Sequence, residues 1–187
     1  MTKQRIIVGL DAWQLSGSSQ FSLYVGMLSR FGVEAMQSHI RIIMSNRRLI
    51  RREYDELYQL SGQIAYEDET GWAIDCGIHV IFRNEMRPVG AKLGTFVQAR
   101  ACLVPFDLVG STQEGAGHVS NPIIYSWRIQ HIVARTAMNM RIMDHTGAFK
   151  YIVDESSTAY DVVQSTADPV RPSSVLTYLL HCDLEAE

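Results

Sequence analysis

Apolar and polar positions along the chain divide it into segments of two kinds. Ile6-Ile-Val-Gly-Leu10 is a short unbroken apolar run and predicts a strand buried on both faces. Ser18 or Ser19, in the turn Gly17-Ser-Ser19, caps a predicted helix on which Phe21, Val25, Leu28 and Ala35 recur at helical spacing. Ile40-Arg-Ile-Ile-Met44 predicts a second strand, and Ser45-Asn46 a cap for a second helix. In that helix Ile50, Tyr54 and Leu57 form the inward stripe, and Ser61-Gly62 stops it. A short helix over 70–76 follows, with Gly77 as its left-handed cap. Ile78, Val80 and Phe82 then alternate with His79, Ile81 and Arg83 as a third strand.

The second half of the chain reads more strongly as sheet. Residues 96–109 predict a strand whose far end Pro105 turns into an edge or a bulge, and 110–121 a long loop. Residues 129–143 form one unusually long strand, with Ile132, Ala134, Thr136, Met138, Met140 and Ile142 on one face. Asp144-His-Thr-Gly147 turns it, and Phe149, Tyr151 and Val153 return antiparallel. After a linker holding Pro169, Pro172 and Ser173-Ser174, the residues Val175, Leu176, Leu179 and Leu180 make one stripe of a short helix. The pattern predicts an α/β (α+β) fold: a mixed sheet with two main helices packed on one side, a long antiparallel hairpin and a short C-terminal helix. Residues 1–163 form a single domain, and 164–187 a linker with the last helix.

Composition narrows the function. At 187 residues and 47% hydrophobic the chain supports one good core. A net charge of -3 sets up no global field toward nucleic acid or anionic lipid. No run of about 18 apolar residues exists, which excludes a membrane helix, and the expected contact with a membrane is at most peripheral. Cys76, Cys102 and Cys182 are widely spaced and form neither a zinc motif nor a dense disulfide framework, though one disulfide plus one free thiol is compatible with them. Gly17-Ser-Ser19 lacks the rest of a phosphate loop. Cys76 reads as a buried inert thiol, His79 as a strand histidine without a second ligand, and Met138 and Met140 as core filler. Six scattered histidines and three cysteines present no nucleophile–base spacing, so the expectation is a protein without catalytic residues, metal, cofactor or small-molecule substrate.

What remains is arginine. Arg47, Arg48, Arg51 and Arg52 crowd the first turns of the second predicted helix, ahead of Glu53, Asp55 and Glu56. This order opposes the helix macrodipole, and pairs such as Arg51–Asp55 and Arg52–Glu56 recover a few tenths of a kcal/mol each. Such a run is ordinarily a solvated, salt-bridged face. The sharper alternative is a face turned to an acidic partner or neighbouring subunit, which Arg100, Arg135 and Arg141 extend across the sheet. Those seven arginines are the candidate partner or subunit interface. Nucleic-acid binding through Arg47–Arg52 is a further alternative, and lacks an aromatic stripe to support it.

One resemblance bears on this. The run Arg-Arg-Glu-Tyr-Asp-Glu-Leu-Tyr-Gln-Leu-Ser-Gly62, the acidic loop after it, Cys-Gly-Ile-His-Val-Ile-Phe82 and the later Met138-Asn-Met-Arg-Ile-Met-Asp-His-Thr-Gly-Ala-Phe149 together resemble the CsgG-type family. That family includes the curli secretion channel lipoprotein and lipoproteins that activate penicillin-binding proteins. The chain departs from it in lacking the lipidated N-terminal cysteine and in ending the third strand with Arg83-Asn84-Glu85. The resemblance implies a ring-forming homo-oligomer in a larger bacterial envelope complex, periplasmic and associated with the outer membrane. The alternative setting is a phage tail or conjugation-type secretion complex, in the virion or cytoplasm.

Overall fold

Phe31, Val33 and Ala35 are fully buried and lie two residues apart, which is the repeat of a strand. That repeat, not the helical one, organises the chain. The computed structural model describes residues 4–12, 15, 22–69, 71–109, 123–143, 145–168 and 174–185. It contains ten strands: β1 (Arg5–Asp11), β2 (Leu28–Ile42), β3 (Leu49–Tyr54), β4 (Leu57–Glu67), β5 (Gly71–Asp75), β6 (His79–Arg83), β7 (Phe96–Val109), β8 (Tyr125–Met143), β9 (Phe149–Val163) and β10 (Ser174–Leu184). Among the described residues, helical conformation is confined to the single 3-10 turn Asn84–Met86 and to Ala12 and Leu15.

Five strands close on themselves. β2 pairs with β7, β7 with β4, β4 with β5 and β5 with β6, all antiparallel. A two-residue parallel pairing, Val33 with Val80 and Glu34 with Ile81, returns β6 to β2. Closure needs sharp bends, and glycine supplies them: a Cβ on Gly62 would fall on the Asp75 carbonyl, and one on Gly71 on the Phe82 carbonyl. Inside, Trp72 stacks on Phe82 with ring centroids 4.6 Å apart, and its indole N–H donates to the Arg83 carbonyl at 3.1 Å.

β3 pairs with β4 beside the barrel, and the remaining four strands form a second layer in the order β9-β8-β10-β1, joined to the barrel where Leu28–Phe31 of β2 meets Tyr125–Arg128 of β8. Trp127 marks the joint. It stacks on Phe31 at 5.6 Å and donates its indole N–H to the Phe31 carbonyl at 3.0 Å. A second crosslink comes from Tyr58 of β4, whose hydroxyl accepts the Ile7 amide of β1 at 2.7 Å. Ile6, Val8 and Leu10 therefore pack with Leu60, Ile64, Leu103, Ile129 and Leu180 in one core.

The α/β expectation is overturned, and each of its helices has a traceable origin. Residues 49–67 are the hairpin β3–β4, not a helix. β4 is buried on both faces over most of its length, so it shows no alternation, and Ile50, Tyr54 and Leu57 match helical spacing by coincidence. The charge order that opposed a macrodipole has no helix to oppose. Arg51 and Arg52 reach Gln59 and the Asp55 carbonyl in place of the expected i,i+4 acids. The short helix over 70–76 is β5, and Gly77, with φ +111°, is left-handed in the β5–β6 turn. Leu28 to Ala35, expected at the end of the first helix, lie in β2. The C-terminal helix is β10, which sits between β1 and β8 with Tyr178 to Leu180 buried. The turn at Gly17-Ser-Ser19, the loop 110–121 and the linker prolines lie outside the described residues. The strands expected at Ile6–Leu10, 78–82, 96–109 and 129–143 are present as β1, β6, β7 and β8.

Candidate functional site

β8 is the longest strand, and its two ends live in different surroundings. β10 accompanies it as far as Ala137, opposite Ser174. Beyond that, among the described residues, residues 138–143 pair with 149–154 of β9 alone. Six residues at about 3.3 Å each carry this two-stranded ribbon roughly 20 Å out of the body. The ribbon exposes large apolar side chains on both sides. One face carries Met138, Met140, Ile142 and Ile152 beside Lys150 and Asp154, and the other Met143, Phe149, Tyr151 and Val153 beside Asn139 and Arg141, with Tyr151 70%, Met143 62% and Met138 58% exposed. Met138 and Met140 are thus not core filler. The face they share with Ile132, Ala134 and Thr136 is buried only as far as the layer below reaches.

A wide bulge marks the ribbon's root. Between the pairs Thr136–Ala159 and Met138–Asp154, Ala137 alone stands opposite residues 155–158. The bulge is held by its own side chains: the Asp154 carboxylate accepts the Ser156 amide and hydroxyl, Ser157 donates to the Asp154 carbonyl, and the Ser157 hydroxyl accepts the Met138 amide at 2.7 Å.

On the barrel's outer face, cross-strand register builds a basic surface from four strands. One row reads His39, Arg100, Gln59, Arg51 across β2, β7, β4 and β3, and the next reads Arg41, Gln98, Ser61, Leu49. Arg41 donates through Nε and Nη2 to the Gln98 carbonyl oxygen at 3.1 and 2.6 Å, and Arg51 donates to Gln59. These amide partners orient the guanidinium groups without neutralising them. Two adjoining depressions that share Gln59 and Gln98, the second lined by Arg47, run along this face.

The seven arginines of the expected interface divide among several surroundings. Arg47 and Arg51 lie on the basic face, and Arg100 lies there paired to Glu53 at 2.7 Å. Arg48 bonds Asp75 at 3.0 Å, and Arg52 is exposed within β3 and donates to the Asp55 carbonyl of the following turn at 2.9 Å. Arg141 is on the ribbon, with its guanidinium carbon 3.6 Å from the centre of the Phe149 ring. Arg135 turns inward, where it meets Glu56 at 3.4 Å and donates to the Thr177 hydroxyl at 2.9 Å. Arg41, His39, Gln59 and Gln98 completed the surface without having been singled out in the sequence. The alternation of Ile40, Arg41 and Ile42 was the available signal for Arg41.

Arg135 belongs to a clamp between the layers. The two-residue turn Asp55-Glu56 links β3 to β4 with Asp55 at φ +40°. Tyr160 of β9 donates its hydroxyl to Asp55 at 3.0 Å, while Glu56 reaches Arg135 of β8 across Gly9 of β1. A Cβ on Gly9 would press on the Glu56 side chain, so glycine there is what lets the carboxylate cross. Glu56 Oε2 is buried without a hydrogen-bond partner among the described residues.

Cys76, Cys102 and Cys182 are all free thiols, and burial pushes Cys76 up to about 12 and raises the other two. His79 is tied by its ring and its amide to the Tyr125 hydroxyl at 2.7 and 2.9 Å. His131 and His181 meet edge to face on β8 and β10. Among the described residues, no three His, Cys, Asp or Glu side chains gather as a metal ligand set. No protein-family model, curated protein or solved structure matches the chain.

Proposed function

We propose that this protein is a non-enzymatic structural subunit that assembles with copies of itself into a ring or tube within a larger complex. One observation carries the reading: a two-stranded ribbon that leaves the body while exposing large apolar side chains on both faces. An isolated two-stranded ribbon is at best marginally stable in water, and contiguous exposed apolar surface marks a site of association. Packing against neighbouring copies buries both faces at once. The clamp of Asp55 and Glu56 supports this, since it fixes the strands from which the ribbon springs to the rest of the body.

A tail-like or conjugation-type assembly suits an almost entirely strand-built subunit of this kind. The periplasmic, outer-membrane setting drew its support from a CsgG-type resemblance whose helical stretches are strands here. The decisive measurement is the native mass of the purified protein beside that of a Met140→Ser, Tyr151→Ser variant. A defined oligomer that falls to single copies in the variant supports the reading, and a wild-type protein that stays monomeric at high concentration sinks it. Nucleic-acid binding is kept as the second reading by Arg41, Arg47 and Arg51, which form no ion pair with a carboxylate among the described residues. Its mark is retention on nucleic acid that collapses with salt.

A further inference from the structure

Among the described residues β1, β3 and β9 each have a single partner strand, and the last two carry opposite charge. There β3 pairs with β4 alone, and β9 with β8 alone. β3 carries Arg51 and Arg52 beside one acid, Glu53, which is paired to Arg100 of β7 at 2.7 Å. β9 carries Asp154, Glu155 and Asp161 beside one base, Lys150. The two edges thus hold a net excess of opposite sign, basic on β3 and acidic on β9.

We propose that β9 of one copy pairs along β3 of the next, a head-to-tail contact that specifies how the assembly grows. The inference rests on the self-assembly reading above and names its contact. Unpaired strand edges supply main-chain donors and acceptors that a second strand satisfies, and side chains along the edge select which strand is accepted. Pairing β3 with β3 sets Arg51 and Arg52 against their own copies, and pairing β9 with β9 does the same to Glu155 and Asp161. Like charges opposite one another destabilise a strand pair and opposite charges favour it. The two symmetric dimers are therefore disfavoured and the unlike pair is selected. A contact between two different surfaces of the same chain does not end at a dimer. It propagates, and it closes into a ring when the rotation between copies allows.

The arrangement predicts a complementation. Variant A carries Arg51→Glu and Arg52→Glu, so both its edges are acidic; variant B carries Glu155→Arg and Asp161→Arg, so both are basic. All four side chains lie at least partly in solvent, and an unchanged thermal midpoint by circular dichroism confirms that each variant folds. Native mass measurement is expected to show each variant alone losing at least tenfold of its assembled fraction at moderate salt. An equimolar mixture is expected to recover it, with A and B alternating. If wild type assembles and variant A alone assembles equally well, or if the mixture fails to recover what both variants lose, the β3–β9 contact is wrong while self-assembly stands. If variant A instead keeps its mass and loses co-purifying nucleic acid, the arginines serve that ligand and the contact is likewise overturned. A monomeric wild type removes the self-assembly reading itself.

Discussion

The barrel and the ribbon are made from the same kind of strand, yet they solve opposite problems. In the barrel, Trp72, Phe82, Phe31 and Trp127 lose all contact with solvent, and their neighbours come from strands distant in sequence. On the ribbon, Phe149, Tyr151 and Met143 are as apolar and remain more than half exposed. One strand, β8, passes through both regimes: Ile132, Ala134 and Thr136 are buried, and Met138 and Met140, next on the same face, are not. Composition alone does not say which apolar residues are core. A face becomes core only where other residues cover it, and along β8 that burial ends at Ala137.

Substitutions separate the two regions by size of effect. Trp127→Ala removes the joint between the layers and is expected to cost about 3–5 kcal/mol in denaturant unfolding, the range for a buried large aromatic. Arg135→Met leaves Glu56 buried without its cation and is expected to cost about 1–3 kcal/mol, with Glu56→Gln recovering part of the loss in a double-mutant cycle. If the two changes prove additive, the clamp does not couple the layers.

A smaller effect follows pH. Burial, with Arg52, His131 and Arg5 behind it, holds His181 below the ordinary histidine range. As pH falls through the unfolded value of about 6.5, the unfolded chain takes up a proton that the folded chain resists, so stability is lost on acidification. The drop in thermal midpoint between pH 7.5 and pH 5.5 is expected to be smaller in His181→Gln than in wild type, and an equal drop removes His181 from the account. The smallest effect belongs to the ribbon. Met140→Ser with Tyr151→Ser is expected to move the stability of dissociated copies by no more than about 0.5 kcal/mol, as for exposed positions generally. A loss there approaching that of Trp127→Ala would erase the distinction between the regions.

The strands legible in the sequence were those with a clear period or an unbroken apolar run. β1 announces itself in Ile6-Ile-Val, β6 in alternation, and β8 in the length of its two-residue repeat. The hairpin β3–β4 was hidden for a physical reason. Arg, Glu and Leu between residues 47 and 60 favour helix locally, whereas β4 is held as a strand by β7 on one side and by β3 and β5 on the other. Arg51 and Arg100 are exposed, as a charged side chain ordinarily is in either secondary structure. Arg135 turns inward to a partner, Glu56, that lies far away in sequence on a turn that only tertiary structure brings near.

β1 is also a terminal strand, yet it differs from β3 and β9. Ile6, Ile7, Val8 and Leu10 are buried on both its faces, and the Ile7 amide is already taken by the Tyr58 hydroxyl. In the language of polymers this bears on the valence of the monomer. If copies join through β3 and β9 as proposed, each has two joining points, and units of valence two give chains or closed circles but not branched networks. On that proposal the phenol hydroxyl of Tyr58, by taking an amide of β1, works against a third joining point.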